Sequence, residues 1–298
     1  MRAVRVTLMG TIDRYMFSLA KVSDRMKGLE EDLATGRAYH LPSDNPMKVA
    51  RALRWRNKIG EAETYLRNVD DGLAWLTSTE TALASLTSLV SRARDLALQG
   101  ASDTVPATSR QALAREVAQI VEQAVDVANS RHANRYLFGG RRTMTQPFLL
   151  APDGSAVSYQ GENGSLLRKV GEGVEVAINL TGGDMFPAGS PFQALIDLRD
   201  ALLADDGKAV ESSLAALDQM LDHLITLRAE VGARMNRLEA VRDRLEAAKL
   251  DMERMLEGEE GVDLARLIVD FRASETTYRA ALATGARILQ PTLVDFLL

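Results

Sequence analysis

Apolar side chains recur in alternating steps of three and four near both ends of this chain. The first row is Leu8, Ile12, Tyr15, Leu19, Val22, Met26, Leu29 and Leu33. The second is Leu264, Ile268, Phe271, Tyr278, Leu282 and Leu289, with Glu275 and Gly285 as weaker members. This is heptad spacing, and it predicts two helices whose narrow apolar seams must be covered by another helix. The rows 8–33 and 264–289 have equal reach, about 39 Å of helix at about 1.5 Å per residue. Each seam is the natural first partner of the other, so the spacing predicts a chain that leaves from and returns to one place.

The interior is also helical, and its punctuation is legible. Gly36 after Thr35 suits a left-handed C-terminal cap. Asn45 followed by Pro46 is a helix start, because proline at the first position loses only an N–H that has no helical partner. That helix is predicted to reach Gln99-Gly100 with Val69, Leu73, Leu76, Leu83 and Val90 on one face. A third helix is predicted from a capping box of Thr108 and Gln111, lined by Leu113, Val117, Ile120, Ala124 and Val127 and stopped by Gly139-Gly140. Ser190-Pro191 with Gln193 predicts another start. Over 208–257, Leu217, Leu224, Val231, Leu238, Leu245 and Met252 fall every seven residues. The alternate row declines from Leu214 and Leu221 to Arg228, Arg242 and Lys249, which suits packing against several helices.

Between 141 and 187 the period changes to two. Val174, Val176, Ile178 and Leu180 alternate with Glu175, Ala177 and Asn179, which predicts a strand. Asn163-Gly164 predicts a hairpin turn between 157–161 and 165–170, and Gly171-Glu172-Gly173 predicts the next turn. The reading is a mainly α fold: an elongated helical bundle with paired N- and C-terminal coiled-coil helices and a small inserted antiparallel β subdomain. Its segments are an assembly segment at 1–40, a helical middle domain at 41–140 and 189–260, a β-rich outer subdomain at 141–188, and a second assembly segment at 261–298. The insert is expected to be separable, so that removing 153–183 spares the helical body.

Composition narrows the function. The net charge of −5 over 298 residues argues against nucleic-acid binding, which depends on clustered cations. Zero cysteines exclude disulfides, thiolate metal sites and cysteine nucleophiles. The first ten residues carry Arg2 and Arg5 but no apolar core or cleavage site, and no run is long enough for a membrane span. A route out of the cytoplasm would therefore leave the N-terminus uncleaved.

No catalytic constellation emerges, and none is assigned. His40, His132 and His223 are far apart and lack metal-ligand spacing, so no cofactor or metal is expected. Asp205-Asp206-Gly207, Gly161-Glu162-Asn163-Gly164 and Gly182-Gly183 read as turns. Glu257, Glu259, Glu260 and Asp263 read as a solvated acidic bend with Asp263 capping the last helix. Arg131, Arg135, Arg141 and Arg142 form a basic cluster, read as a solvated or salt-bridged face or as a contact to an acidic neighbour.

Several blocks, taken in order, resemble one family. Thr35-Gly36-Arg37, Pro42-Ser43-Asp44-Asn45-Pro46, and then Asn68, Gly72, Leu76, Thr79, Glu80 and Leu83 are similar to the N-terminal region of the bacterial flagellin family. Ala93-Arg94-Asp95-Leu96-Ala97, Tyr136-Leu137-Phe138-Gly139-Gly140 and the ending from Arg287 to Leu297 resemble its hook-filament junction branch. Pro291 departs from a continuous last helix. The resemblance implies a non-enzymatic structural subunit that self-assembles in a ring by lateral packing of its terminal helices. Implied partners are copies of itself, a hook-associated neighbour on the hook side, flagellin on the filament side and an export chaperone; nucleic acid and membrane insertion are not implied. It implies secretion through the flagellar export apparatus to an extracellular flagellum, with terminal helices that order on assembly. The assembly interface is assigned to Leu8, Ile12, Leu19, Val22, Met26, Leu29, Leu33, Leu264, Ile268, Phe271, Leu282, Leu289 and Phe296. A short flagellin and a coiled-coil adaptor remain as alternatives.

Overall fold

One long helix opens the chain, α1 (Arg2–Thr35), and another, α7 (Leu264–Leu289), closes its described part. Between them run α2 (Pro46–Gly100), α3 (Ala107–Ala128), β1 (Arg131–His132), β2 (Arg135–Tyr136), β3 (Phe148–Leu150), β4 (Val157–Tyr159), β5 (Leu167–Gly171) and β6 (Val174–Ala177). A single turn, α4 (Gly182–Met185), then α5 (Gln193–Leu203) and α6 (Gly207–Glu260), complete the order. This computed structural model describes residues 2–41, 43–102, 104–186 and 192–289, the side chains of 2–9, 11 and 287–289 excepted. The fold is the predicted one, mainly helical with paired terminal helices and small antiparallel strand pairs. It comprises two compact units, 1–60 with 250–298, and 61–249. The division falls within α2 and α6 and not at the segment ends read from the sequence.

Helix ends follow local chemistry. Asn45 Oδ1 accepts from the Lys48 N–H at 3.1 Å, with Pro46 at the first helical position. Gly36 has φ +67° and donates its N–H to Asp32 O at 2.8 Å, closing α1. Asp206 starts α6 by accepting from the Lys208 and Ala209 N–H groups. The third helix departs from expectation at both ends. Pro106, not the predicted Thr108 box, stands at its N-cap, and Asn129 ends it well before Gly139. The Asn129 side chain both donates to and accepts from the backbone of Phe148, imitating a strand partner. The chain then turns through Ala133 (φ 46°) and Asn134 (φ 63°) into the β1–β2 hairpin. Two successive positive φ values suit a two-residue turn. The Ser190-Pro191 start lies outside the described residues.

The strands form three two-stranded antiparallel pairs, β1–β2, β3–β4 and β5–β6. Glu172-Gly173 turns β5 into β6 as predicted. Asn163-Gly164 does not make a hairpin, because β4 pairs backwards with β3 across a turn holding Gly154 at φ +69°. The 163–166 stretch is instead held by Asn179, whose side chain donates to Gly164 O and accepts from the Leu166 N–H.

The core of the 61–249 unit joins helices and strands. Val69, Leu76, Leu83 and Val90 of α2, Val117 and Ile120 of α3, Leu195 and Ile196 of α5, and Leu217, Leu224, Val231 and Leu238 of α6 are buried in one cluster. Phe148, Val157, Val170, Val176, Ile178 and Leu180 belong to that same cluster. The β region therefore shares one core with the helices, which weighs against the separability expected of it. It covers apolar surface that the helices leave open, and Phe148 lies edge-on to Phe186 and Phe192. The polar row of α6 meets acids of α2: Arg228 pairs with Glu80 at 2.7 Å and Lys249 with Glu63 at 2.7 Å. Phe148→Ala should cost about 3–5 kcal/mol in denaturant unfolding of this unit. Deleting 153–183 should yield a protein without a cooperative unfolding transition.

Candidate functional site

α1 and α7 pack along each other within the unit formed by 1–60 and 250–298. On α1, the heptad positions Ile12, Tyr15, Leu19, Val22, Met26, Leu29 and Leu33 are all half-buried, while nearly every residue between them is exposed. The side chains of Leu8 and Leu289, and all of Phe296, lie outside the described residues. On α7 the row turned inward is Leu267, Phe271, Ser274, Tyr278, Ala281 and Gly285. It shares Phe271, Tyr278 and Gly285 with the row read from the sequence and replaces the other members by their preceding neighbours. Leu264 (52% exposed), Ile268 (49%) and Leu282 (45%) therefore face away from the buried row.

Small residues explain the choice. The Tyr15 hydroxyl donates to Ala281 O, and a side chain at Gly285 would meet the Tyr15 ring and hydroxyl at 2.5–2.7 Å. Gly285 thus provides the space that lets one aromatic ring lie across the neighbouring backbone. A periodicity count that weights large apolar residues misses Ser274, Ala281 and Gly285.

The consequence is a second apolar face. Met16 and Phe17 on α1 are exposed, Phe17 to 74%, as are Leu264, Ile268, Val269 and Leu282 on α7. Among the described residues of this unit only Ala52 and Leu267 are buried apolar side chains, whereas the 61–249 unit carries a full core. Single exposed apolar residues are ordinary, but a paired helix that turns further large side chains outward presents a contact surface.

Other candidate groups are occupied structurally. His40 pairs with Asp32 at 2.8 Å, His132 with the Ser78 hydroxyl at 2.9 Å, and His223 with Asp184 O at 2.7 Å. Arg131 stacks on Tyr136, and Arg142 approaches Glu162 at 3.9 Å. An open groove of about 500 Å³ beside α2 and α3, lined by Ser85, Ser88, Leu89, Gln123, Asp126 and Val127, contains no nucleophile–base pair. Among the described residues, no group of three His, Asp or Glu is placed to hold a metal, and no helix is long and apolar enough to cross a membrane.

The profile of the bacterial flagellin N-terminal helical region matches residues 14–143. Residues 14–143 are therefore similar to the N-terminal helical region of the flagellin family. Flagellar hook-associated protein 3 of Escherichia coli (strain K12) is 24% identical over 280 residues, covering 84% of this chain and 87% of that protein. The flagellar filament 30.7 kDa core protein of Treponema maltophilum is 22% identical over 266 residues, covering 89% of each. Of solved structures, Bacillus cereus FlgL is similar with a TM-score of 0.60 at 26% identity, covering 68% of this chain and 99% of that one. The flagellin region takes in most of α1, all of α2 and α3, and the β1–β2 hairpin.

Within the flagellin region, the Pro-Ser-Asp-Asn-Pro block has a visible role. The Asp44 carboxylate accepts from the Leu41 and His40 N–H groups at 2.8 and 3.0 Å, which holds its pKa below the usual carboxylate range. A lowered folded-state pKa stabilises the fold above the unfolded pKa of about 4, and that contribution fades as pH falls through the folded value. The protection of the His40 and Leu41 amides, taken relative to their intrinsic exchange rates, should therefore fall on acidification below about pH 4. Asp44→Asn should show the lower protection already at neutral pH.

Proposed function

We propose that this chain is a structural subunit of the bacterial flagellum that joins hook to filament, assembling by lateral packing of its terminal helices. The observation that carries the reading is the two-faced α1–α7 pair. One heptad row closes the pair internally, while Leu264, Ile268, Leu282, Met16 and Phe17 remain for a neighbour. The similarity to hook-associated protein 3 and to FlgL supports the place in the axial structure.

The partners on this reading are further copies of the chain in a ring, a hook-associated protein on one side and flagellin on the other. Export through the flagellar apparatus, assisted by a chaperone, would bring it to the outside of the cell. The role is one of contact and not of catalysis. The residues assigned to assembly are the α1 row from Leu8 to Leu33 together with Leu264, Ile268, Phe271, Leu282, Leu289 and Phe296. Their parts differ: Ile268 and Leu282 serve the contact between subunits, and Phe271 serves the pair itself. The similarity to a filament core protein leaves a short flagellin as the rival.

Deleting the gene separates the two. A junction subunit leaves hooks in place and sheds flagellin into the medium, whereas filaments that persist refute the junction role. Within the chain, Ile268→Asp should keep wild-type helicity by circular dichroism and lose incorporation. Phe271→Asp and Leu19→Asp should lose incorporation and also expose α1 and α7 to trypsin. Incorporation of Ile268→Asp at wild-type level would contradict the proposed contact face.

A further inference from the structure

Two connections meet where the α1–α7 pair begins, the loop after α1 and the turn from α6 to α7. The last two residues of α6, Glu259 and Glu260, are acids at a helix C-terminus, where the helix dipole disfavours negative charge. Helix stability does not explain them. Their partners do. The Glu260 carboxylate, 16% exposed, lies 2.6 Å from Arg56 and 3.8 Å from Arg37, and Glu259 lies 3.0 Å from Arg51. The acidic bend read from the sequence as solvated is therefore an ion-pair cluster.

Arg51 and Arg56 lie on α2, while the loop after α1 meets the end of α6 through its backbone. The Ala38 N–H donates to Glu260 O at 2.9 Å, and Arg37 and Gly261 form an isolated antiparallel bridge. Gly261 has no room for a side chain, since a Cβ would stand 2.5 Å from Glu257 O. Two residues later Asp263 caps α7, accepting from the Arg266 N–H. The point at which α1 ends and the point at which α7 starts are thus fastened to each other.

Resting on the junction reading, we propose that the Arg56–Glu260 ion pair, assisted by Arg37, holds the start of α2 against the end of α6 and, through the two adjoining connections, positions α1 against α7 and so fixes the register in which the assembly surface is presented. Half-buried heptad rows alone leave register weakly specified, because a slip by one heptad still matches apolar to apolar. A charge cluster at one end selects one alignment, and Tyr15 on Gly285 selects the same alignment further along.

The test uses the full chain, which contains no cysteine, carrying Tyr15→Cys and Gly285→Cys, with a short bis-maleimide as the probe of register. This background removes the tyrosine contact and leaves the ion pair to set alignment. Adding Glu260→Gln, or Arg56→Glu, should lower crosslinking about fivefold, the scale of one partly exposed ion pair. The charge-swapped double variant Arg56→Glu with Glu260→Arg should restore it, and raised salt should lower crosslinking in the parent but not in Glu260→Gln. Equal crosslinking in parent and Glu260→Gln, or no recovery in the charge swap, overturns the proposal. In the otherwise unaltered chain Glu260→Gln should reduce incorporation into flagella while the thermal unfolding of the 61–249 unit stays unchanged. Because crosslinking is read on the free protein, it stands or falls separately from the junction role, which gene deletion decides.

Discussion

The heptad contact between α1 and α7 is the constraint on which the terminal unit depends. Apart from Leu267, the large side chains in it are only half removed from water, so each gains part of the roughly 1.5–3 kcal/mol that full burial of a large apolar side chain supplies. Against this stands the entropy of ordering two long helices, about 1–2 kcal/mol for each residue fixed. Helices held in this way are marginal alone, and further burial has to come from outside the pair. The exposed rows on both helices are where that burial is available.

The 61–249 unit solves the opposite problem. Its helices share a continuous core, and the β3–β4 and β5–β6 pairs contribute Phe148, Val157, Val170 and Val176 to it. The hairpins are too short to be stable by themselves. They persist because their inward side chains fill the core and because Asn129 and Asn179 satisfy backbone groups that no strand reaches. Buried apolar core is thus concentrated in one unit and exposed apolar surface in the other.

Much of this was legible in the residues. Heptads announced every long helix, and Asn45-Pro46, Gly36 and Asp263 marked their ends where the predicted caps form. Strand pairing was read less well. Asn163-Gly164 carries a strong turn signal, yet tertiary contacts through Asn179 and the β3–β4 pairing decide that stretch. The end of α3 was missed because Asn129 stops it through a long-range bond to Phe148, which no local pattern encodes. On α1 the described members of the row, Ile12 to Leu33, are half-buried, while on α7 Leu267, Ser274 and Ala281 turn inward in place of Ile268, Glu275 and Leu282. Ser274, Ala281 and Gly285 are chosen for size, and period counting hears only apolar bulk.

The displacement itself has meaning. Two heptads overlap on α7, both running through Phe271, Tyr278 and Gly285, one adding Leu267, Ser274 and Ala281 and the other Leu264, Ile268 and Leu282. A coiled-coil seam between two helices needs one such stripe, whereas a helix with a wider apolar arc is built for more neighbours. α1 takes the stripe with the small residues, where close approach is possible. The stripe with the larger side chains is left over, and large side chains are the ones that gain most from being covered. A terminal helix that served only its own chain would carry polar residues there. α7 therefore carries apolar side chains for two contacts, and among the described residues α1 covers one of the two stripes.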